Sequence, residues 1–390
     1  MTIESLRVRD LDAAQHEFPA RNQLVNIVTN ANMNHARKVT SIPPVCERER
    51  GGTSCPFAVH AHRRYVATLF MKSSRRKFLK ITGAAAGLAV AAGSAWAGFS
   101  NSRRARMLRQ LVRDTARNPA PPPAVPTPDK WDDNRITFAW LGHATVLISF
   151  YGVRILTDPA FSERVGIGLG VGTLGPKRYV APALRFDQLP PIDLVLLSHA
   201  HMDHMDLPTL AKFKADQRVI TAKDTSEIFA PTGLKPLSEL AWGDATTVKT
   251  RHGELRVEAF EVNHWGRRWP NDRPRGYNGY VLRREGRAII FGGDTAMTPL
   301  FRNLRSSGPY AAAIMPVGAY NPWIHAHCTP EEALQMADAA GAERLAPIHH
   351  STFKLSDEPM TEPLERFEQA LEQERDRLVL KQIGGTAVIV

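Results

Sequence analysis

The stretch Leu194-Val195-Leu196-Leu197-Ser198-His199-Ala200-His201-Met202-Asp203-His204 sets three histidines and an aspartate within six residues of one another, directly after an apolar run. The run reads as a buried strand, and a strand ending in a polar loop delivers all four side chains to one point. Imidazole nitrogen and carboxylate oxygen are the donors that zinc and similar divalent ions favour. With 14 histidines in 390 residues, chance placement does not produce this density. His199 and His201 stand two residues apart, so in extended backbone they point the same way. Asp203 and His204 then turn towards a second centre.

Working outward, three more candidate ligands follow apolar segments. His264 comes after Leu255–Val262, Asp294 after Ala288–Phe291, and His349 after Arg344–Ile348. Strand ends gather on one rim of a sheet, so ligands distant in sequence can meet there. Five histidines and two aspartates suffice for two divalent ions that each keep an open position. Asp294, with two carboxylate oxygens, can bridge them.

The body around these residues alternates strand and helix signals. Strands are expected at Ile136–Trp140, Ala144–Phe150, Val153–Leu156, Asp193–Ser198, Arg218–Thr221, Leu255–Val262, Gly279–Arg283, Ala288–Phe291, Arg344–Ile348 and Ala387–Val390. A helix begins at Leu207-Pro208-Thr209-Leu210. Another is announced by Thr329-Pro330-Glu331-Glu332, with Thr as cap, Pro in the first turn and acids beside the positive helix end, and runs to about Ala340. Residues 162–182, rich in glycine, and 265–277, rich in Arg, Trp and Pro, read as loops bordering the site.

Charge and cysteine usage narrow the function classes. The net charge of +11 is uneven: residues 1–97 carry 14 Lys/Arg against 6 Asp/Glu, and the other 293 carry 36 against 33. The excess lies outside the catalytic body, which argues against a nucleic-acid partner. Cys46, Cys55 and Cys328 form no Cys-x-x-Cys, which excludes a zinc ribbon or thioredoxin-type motif.

The first 130 residues divide into three parts. Residues 1–70 are polar and without period. Met71-Lys72-Ser73-Ser74-Arg75-Arg76-Lys77-Phe78-Leu79-Lys80, the apolar run Ile81–Ala92 and Ala95-Trp96-Ala97 are the basic head, short apolar centre and small-residue exit of an export signal. The paired arginines make it resemble a twin-arginine signal, which implies a periplasmic destination. An internal signal is reconciled most simply if translation starts at Met71 and residues 1–70 are an over-extended reading frame. Residues 98–130 are a basic segment and a linker with six prolines between Pro119 and Pro128. The basic segment is either an amphipathic helix contacting an anionic membrane surface or a helix packed on its own domain.

The metal-ligand pattern also carries a family resemblance. His199-x-His201-x-Asp203-His204 with His264, Asp294 and His349 resembles the metallo-β-lactamase superfamily. Within it, the N-acyl-phosphatidylethanolamine-hydrolysing phospholipase D family is the more similar branch. The similar stretches are Leu141-Gly142-His143-Ala144-Thr145-Val146, Leu156-Thr157-Asp158-Pro159, Gly175-Pro176-Lys177-Arg178, Leu189-Pro190-Pro191-Ile192-Asp193, Gly293-Asp294-Thr295, Gly318-Ala319-Tyr320 and Pro330-Glu331-Glu332-Ala333, across residues 131 to 360. The resemblance implies an α/β fold over residues 131–390: an αββα sandwich of two mixed β-sheets flanked by helices. It implies two zinc ions, one held by His199, His201 and His264, the other by Asp203, His204 and His349, with Asp294 bridging. The pattern Ile348-His349-x-x-Thr352-Phe353 selects His349 over His350. His327 matches a histidine near the scissile phosphate, so Asp294 and His327 take catalytic parts, while His143 and Asp158 take supporting ones.

The implied activity is hydrolysis of a phosphodiester by hydroxide held between the ions, with a phospholipid or a small molecule as substrate. One departure bears on specificity: Met202 stands where the phospholipase has a lipid-contacting tyrosine. A lactonase or other ester or amide hydrolase of the same fold is the alternative. A di-iron redox protein is disfavoured because that branch places a glutamate where His201 stands, and the intact ligand set argues against a non-catalytic binding protein.

Overall fold

The computed structural model describes residues 102–169, 172–269 and 271–389; the expected extension (1–70) and export signal (71–97) lie outside them. Among the described residues, no helix is long and apolar enough to cross a membrane. Helix α1 (Arg103–Ala116) begins at Ser102, whose hydroxyl accepts from Ala105 N at 3.2 Å. It packs on the domain: buried Asp114 accepts from Lys177 N at 3.0 Å, and Arg117 lies 3.6 Å over the Tyr179 ring. Met107, Leu108 and Val112 remain exposed on its outer side.

Strands β1 (Ile136–Gly142), β2 (Thr145–Phe150) and β3 (Val153–Thr157) form an antiparallel meander in which every residue is buried. Within the glycine-rich loop that follows sits a short hairpin of β4 (Ile167–Gly168) and β5 (Thr173–Leu174). β6 (Leu194–Leu196), β7 (Val219–Ala222) and β8 (Ser238–Leu240) add in parallel beyond β3, joined through α2 (Leu207–Leu210) and α3 (Ser226–Phe229). The second sheet begins antiparallel with β9 (Ala245–Thr250), β10 (Gly253–Phe260), β11 (Gly279–Arg284) and β12 (Arg287–Phe291). It continues in parallel with β13 (Tyr310–Pro316) and β14 (Ala342–Ile348), linked by α4 (Pro330–Ala340). After α5 (Glu362–Ala370), β15 (Thr386–Ile389) returns to pair with β1.

The α4 start is the one expected: Thr329 Oγ1 accepts from Glu332 N at 3.3 Å while Glu332 Oε2 accepts from Thr329 N at 2.9 Å. β13, with Tyr310-Ala311-Ala312-Ala313, is a strand the sequence reading lacks. Its small residues carry little strand propensity, and burial between β12 and β14 decides its state.

Between the sheets, Phe138, Trp140 and Ile148 meet Leu255, Leu282 and Phe291 in one core. The outer face of the first sheet sets Val195 and Val219 against Met205, Leu210 and Phe229. The outer face of the second sets Ile290, Ala313 and Leu345 against Met336, Ala337 and Phe367. Each fully buried large side chain contributes about 1.5–3 kcal/mol, so both helical layers are held by burial. This is an αββα sandwich.

The register aligns the strands that matter. β1 and β3 run parallel to β6, and β10 runs parallel to β12, β13 and β14. Their carboxyl ends lead into His143, Asp158, His199, His264, Asp294, the 318–327 loop and His349. Four non-glycine residues on these ends, His143, Asp158, Ala319 and His349, have left-handed φ of 54°, 34°, 66° and 66°. Backbone strain of this kind persists where the surroundings over-determine it, as at functional sites.

Candidate metal centre

Seven side chains named from the sequence meet in one cluster, arranged as two donor sets. In the first, His201 Nδ1 lies 2.8 Å from His199 Nε2 and 3.2 Å from His264 Nε2. A tetrahedral zinc with Zn–N of about 2.0–2.1 Å spaces its nitrogens by roughly 3.3 Å, so these separations are within about half an ångström of a ligand set. In the second, Asp203 Oδ2 lies 3.6 Å from His204 Nε2 and 3.5 Å from His349 Nε2.

Asp294 joins them through a single oxygen. Its Oδ2 lies 3.0 Å from His204 Nε2 and 3.2 Å from His349 Nε2, and 3.9 Å from both His199 Nε2 and His264 Nε2. Oδ2 therefore faces both donor sets. The approach depends on Gly293, at φ 60°, where a Cβ would fall 2.7 Å from the Asn278 carbonyl oxygen and 3.0 Å from Ser198 Cβ.

Partners on the far side of each ring fix the tautomers. His204 Nδ1 donates to Asp158 Oδ2 at 2.7 Å, and His264 Nδ1 donates to the Ala326 carbonyl at 2.7 Å. Ser198 Oγ donates to Asp158 Oδ2 at 2.6 Å and accepts from His199 Nδ1 at 2.8 Å. In the neutral form of all three rings the lone pair of Nε2 faces the centre, the orientation that ligand histidines require.

Asp158, expected in a supporting role, is fully buried and also accepts from Ser198 N through Oδ1 at 2.7 Å. His143 donates Nε2 to Asp203 Oδ2 at 2.9 Å, and its own amide is held by Thr352 Oγ1 at 2.6 Å. His350 turns away, its ring tilted against Trp140 at 4.5 Å between ring centroids, with Nδ1 on Ser351 Oγ. His327 reaches the cluster from the loop after β13, with Nδ1 3.8 Å from Asp294 Oδ2. Trp265, not singled out from sequence, lies edge-on to His201 at 4.9 Å. Only its position next to His264 hinted at this.

The electrostatics divide along the same line. Burial first, and then the neighbouring rings, hold His199 well below the ordinary imidazole value; burial does the same to His264 and lowers His201 to about 4. Burial also opposes charge on His204 and His349. There the carboxylates win, led by Asp294, raising His204 well above its ordinary value and His349 to about 9. Burial pushes Asp203 and Asp294 upward, but the imidazoles, His204 foremost, hold both well below the carboxylate range. Positive charge is thus wanted between the carboxylates, where a cation would supply it.

A family model described as a beta-lactamase superfamily domain matches residues 153–350. The chain belongs to the metallo-β-lactamase superfamily. An uncharacterized Mycobacterium tuberculosis protein is 30% identical over 283 residues, 68% of this chain and 72% of that one. The N-acyl-phosphatidylethanolamine-hydrolyzing phospholipase D 1 of Caenorhabditis elegans is 28% identical over 258 residues, 61% of this chain and 70% of that one. The fold matches the crystal structure of an isothiocyanate hydrolase from Delia radicum gut bacteria at a TM-score of 0.51 and 17% identity, over 64% of this chain and 98% of that one. This chain is one of the superfamily's metal-dependent hydrolases.

The superfamily implies bound metal, and the donors fit it. His204 Nε2, His349 Nε2 and Asp294 Oδ1 are buried and make no hydrogen bond of acceptable geometry. Buried polar atoms are nearly always paired. Grouped by reach, the donors fall into His199–His201–His264, His143–Asp203–His204–His349 and His199–His204–Asp294, with Asp294 also grouping with His264 and His327.

Proposed function

We propose that this chain is a zinc-dependent phosphodiesterase of the N-acyl-phosphatidylethanolamine phospholipase D type. The observation that carries the reading is the single oxygen of Asp294 shared by two donor sets, which matches a two-metal centre. His199, His201 and His264 would hold one ion, Asp203, His204 and His349 the other, and Asp294 both. Three imidazoles on one side and mixed imidazole and carboxylate on the other suit zinc. Bound there, two divalent ions supply water acidified to near neutrality and neutralise charge developing on phosphoryl oxygens.

The chain's own residues do the rest. Asp158, Ser198 and the Ala326 carbonyl keep the three Nε2 lone pairs aimed inward. His143 holds Asp203 in place through Oδ2. Burial brings His327 down to about 4, so at neutral pH its imidazole is uncharged and acts as a hydrogen-bond donor to the substrate's reacting oxygens.

A membrane-surface partner is part of this reading. Ile167, Leu169, Leu174, Trp265, Trp269, Trp323 and Ile324 are exposed on three loops that adjoin the centre, and α1 adds Arg109 and Arg113 beside its exposed apolar residues. Export to the periplasm, supported by the arginine pair of residues 71–97, would place the protein at such a surface. A lactonase is the second reading, favoured by Met202, which lines a cavity of about 600 Å³ with Leu207, Trp269 and Arg268.

Zinc-loaded protein assayed against phospholipid vesicles and a lactone panel separates the two. Release of phosphatidic acid from the vesicles is expected. Turnover of lactones alone would refute the phosphodiesterase reading.

A further inference from the structure

His327 sits on a stretch without regular structure between β13 and α4, so something must hold that stretch still. Its far end is tied to the centre: Cys328 N donates to the Thr295 carbonyl at 2.8 Å, and the Ala326 carbonyl accepts from His264. Its near end is tied by a residue no strand end announces. The Glu358 side chain is buried, and its two oxygens each accept one backbone amide, Ala319 N at 2.6 Å and Asn321 N at 3.1 Å. Around it, Asp357 N donates to the Asn321 carbonyl at 2.8 Å and the Tyr320 hydroxyl donates to Glu362 at 2.7 Å.

The loop also lies close against the His349 backbone. Gly318 has no room for a side chain, since a Cβ there would lie 2.3 Å from the His349 carbonyl oxygen. Ala319 follows in the left-handed region at φ 66°, a conformation that needs outside support. A carboxylate that accepts two amides on either side of Tyr320 supplies it.

We infer that Glu358 is a positioning residue for His327: its carboxylate fixes the Ala319–Asn321 backbone and thereby aims the His327 ring at the bridging carboxylate. The inference rests on the role given to His327 above. It separates two outcomes that would otherwise travel together. Metal retention depends on His349 and the other ligands, whereas turnover depends also on where His327 points.

The test uses the full chain loaded with zinc and bis(4-nitrophenyl) phosphate as substrate. Glu358→Ala, Glu358→Gln, His327→Ala and the Glu358→Ala/His327→Ala double variant are compared for kcat, KM, zinc content and backbone amide exchange. A misplacement on the scale of an ångström costs about 100-fold. A kcat loss of about 10- to 100-fold is therefore expected for Glu358→Ala, with zinc content and KM within about twofold of wild type. Glu358→Gln, which keeps one acceptor, is expected between the two, and it carries the measurement if Glu358→Ala does not fold. The double variant should be no slower than His327→Ala, because the two act through one group. Exchange should rise at 319–327 and stay unchanged at 198–205. Multiplicative losses in the double variant, loss of zinc in step with loss of rate, or unchanged exchange at 319–327 would each overturn the inference. A wild type inert towards the phosphodiester would count against the function reading, and the exchange comparison would still decide the anchoring.

Discussion

Asp158→Asn is the most informative single substitution, because it keeps shape and puts a donor where one oxygen accepts two hydrogen bonds. In the wild type, Asp158 Oδ1 accepts from Ser198 N, and Oδ2 accepts from Ser198 Oγ and His204 Nδ1. An asparagine that keeps its carbonyl towards the Ser198 amide turns its NH2 to both Ser198 Oγ, which can accept from it, and His204 Nδ1. The ring then takes its proton on Nε2, the atom 3.0 Å from Asp294 Oδ2 that should offer a lone pair. Restoring the ligand tautomer forfeits a hydrogen bond that was charge-assisted, about 2–3 kcal/mol. That converts to about 30- to 150-fold weaker binding of the ion held by His204, close to the range typical for partners of metal ligands. The ion on His199, His201 and His264 is expected to suffer less. Asp158→Ala differs: it strands three buried donors, costs about 3–5 kcal/mol and lowers Tm by about 6–10 °C. Chelator competition measures affinity, and thermal melts measure stability. Retention of both ions by Asp158→Asn within twofold of wild-type affinity would refute the tautomer argument.

Three other outcomes follow from the same geometry. His327→Ala is expected to lower kcat by about 100-fold or more while keeping the metal, read from rates and elemental analysis on one sample. His349→Gln should lose metal, whereas His350→Gln should keep it, because His350 faces Trp140 and Ser351. Metal uptake should release protons: Asp294 and Asp203 outweigh burial to raise His349 to about 9, so at pH 7 it is protonated and must shed that proton to bind. His204, also raised by the carboxylates, must shed one too, so apparent affinity should climb about tenfold per pH unit for each proton released. Calorimetry in buffers of different ionisation enthalpy reads the proton count, and no release would contradict the charge assignment.

The cluster was legible because its ligands follow apolar strands, which put chemistry where a local pattern can point to it. Leu194–Leu196 leads to His199, and Arg287–Phe291 leads to Asp294. The tautomers were not legible, since Ala326 contributes a backbone carbonyl and any residue has one. β13 escaped because three alanines say little about state; its neighbours in the sheet make it a strand. Glu358 escaped for another reason. It looks like any solvated acid until the fold buries it against two amides 37 and 39 positions away. Met202, inside the histidine motif, lines a cavity in which specificity should be sought.

The central claim is that the cluster around Asp294 would hold two metal ions, and counting ions per chain tests it most directly. Purified protein refilled with zinc, freed of excess metal and analysed by plasma mass spectrometry should carry two ions per chain. One ion per chain, or none, would contradict the account.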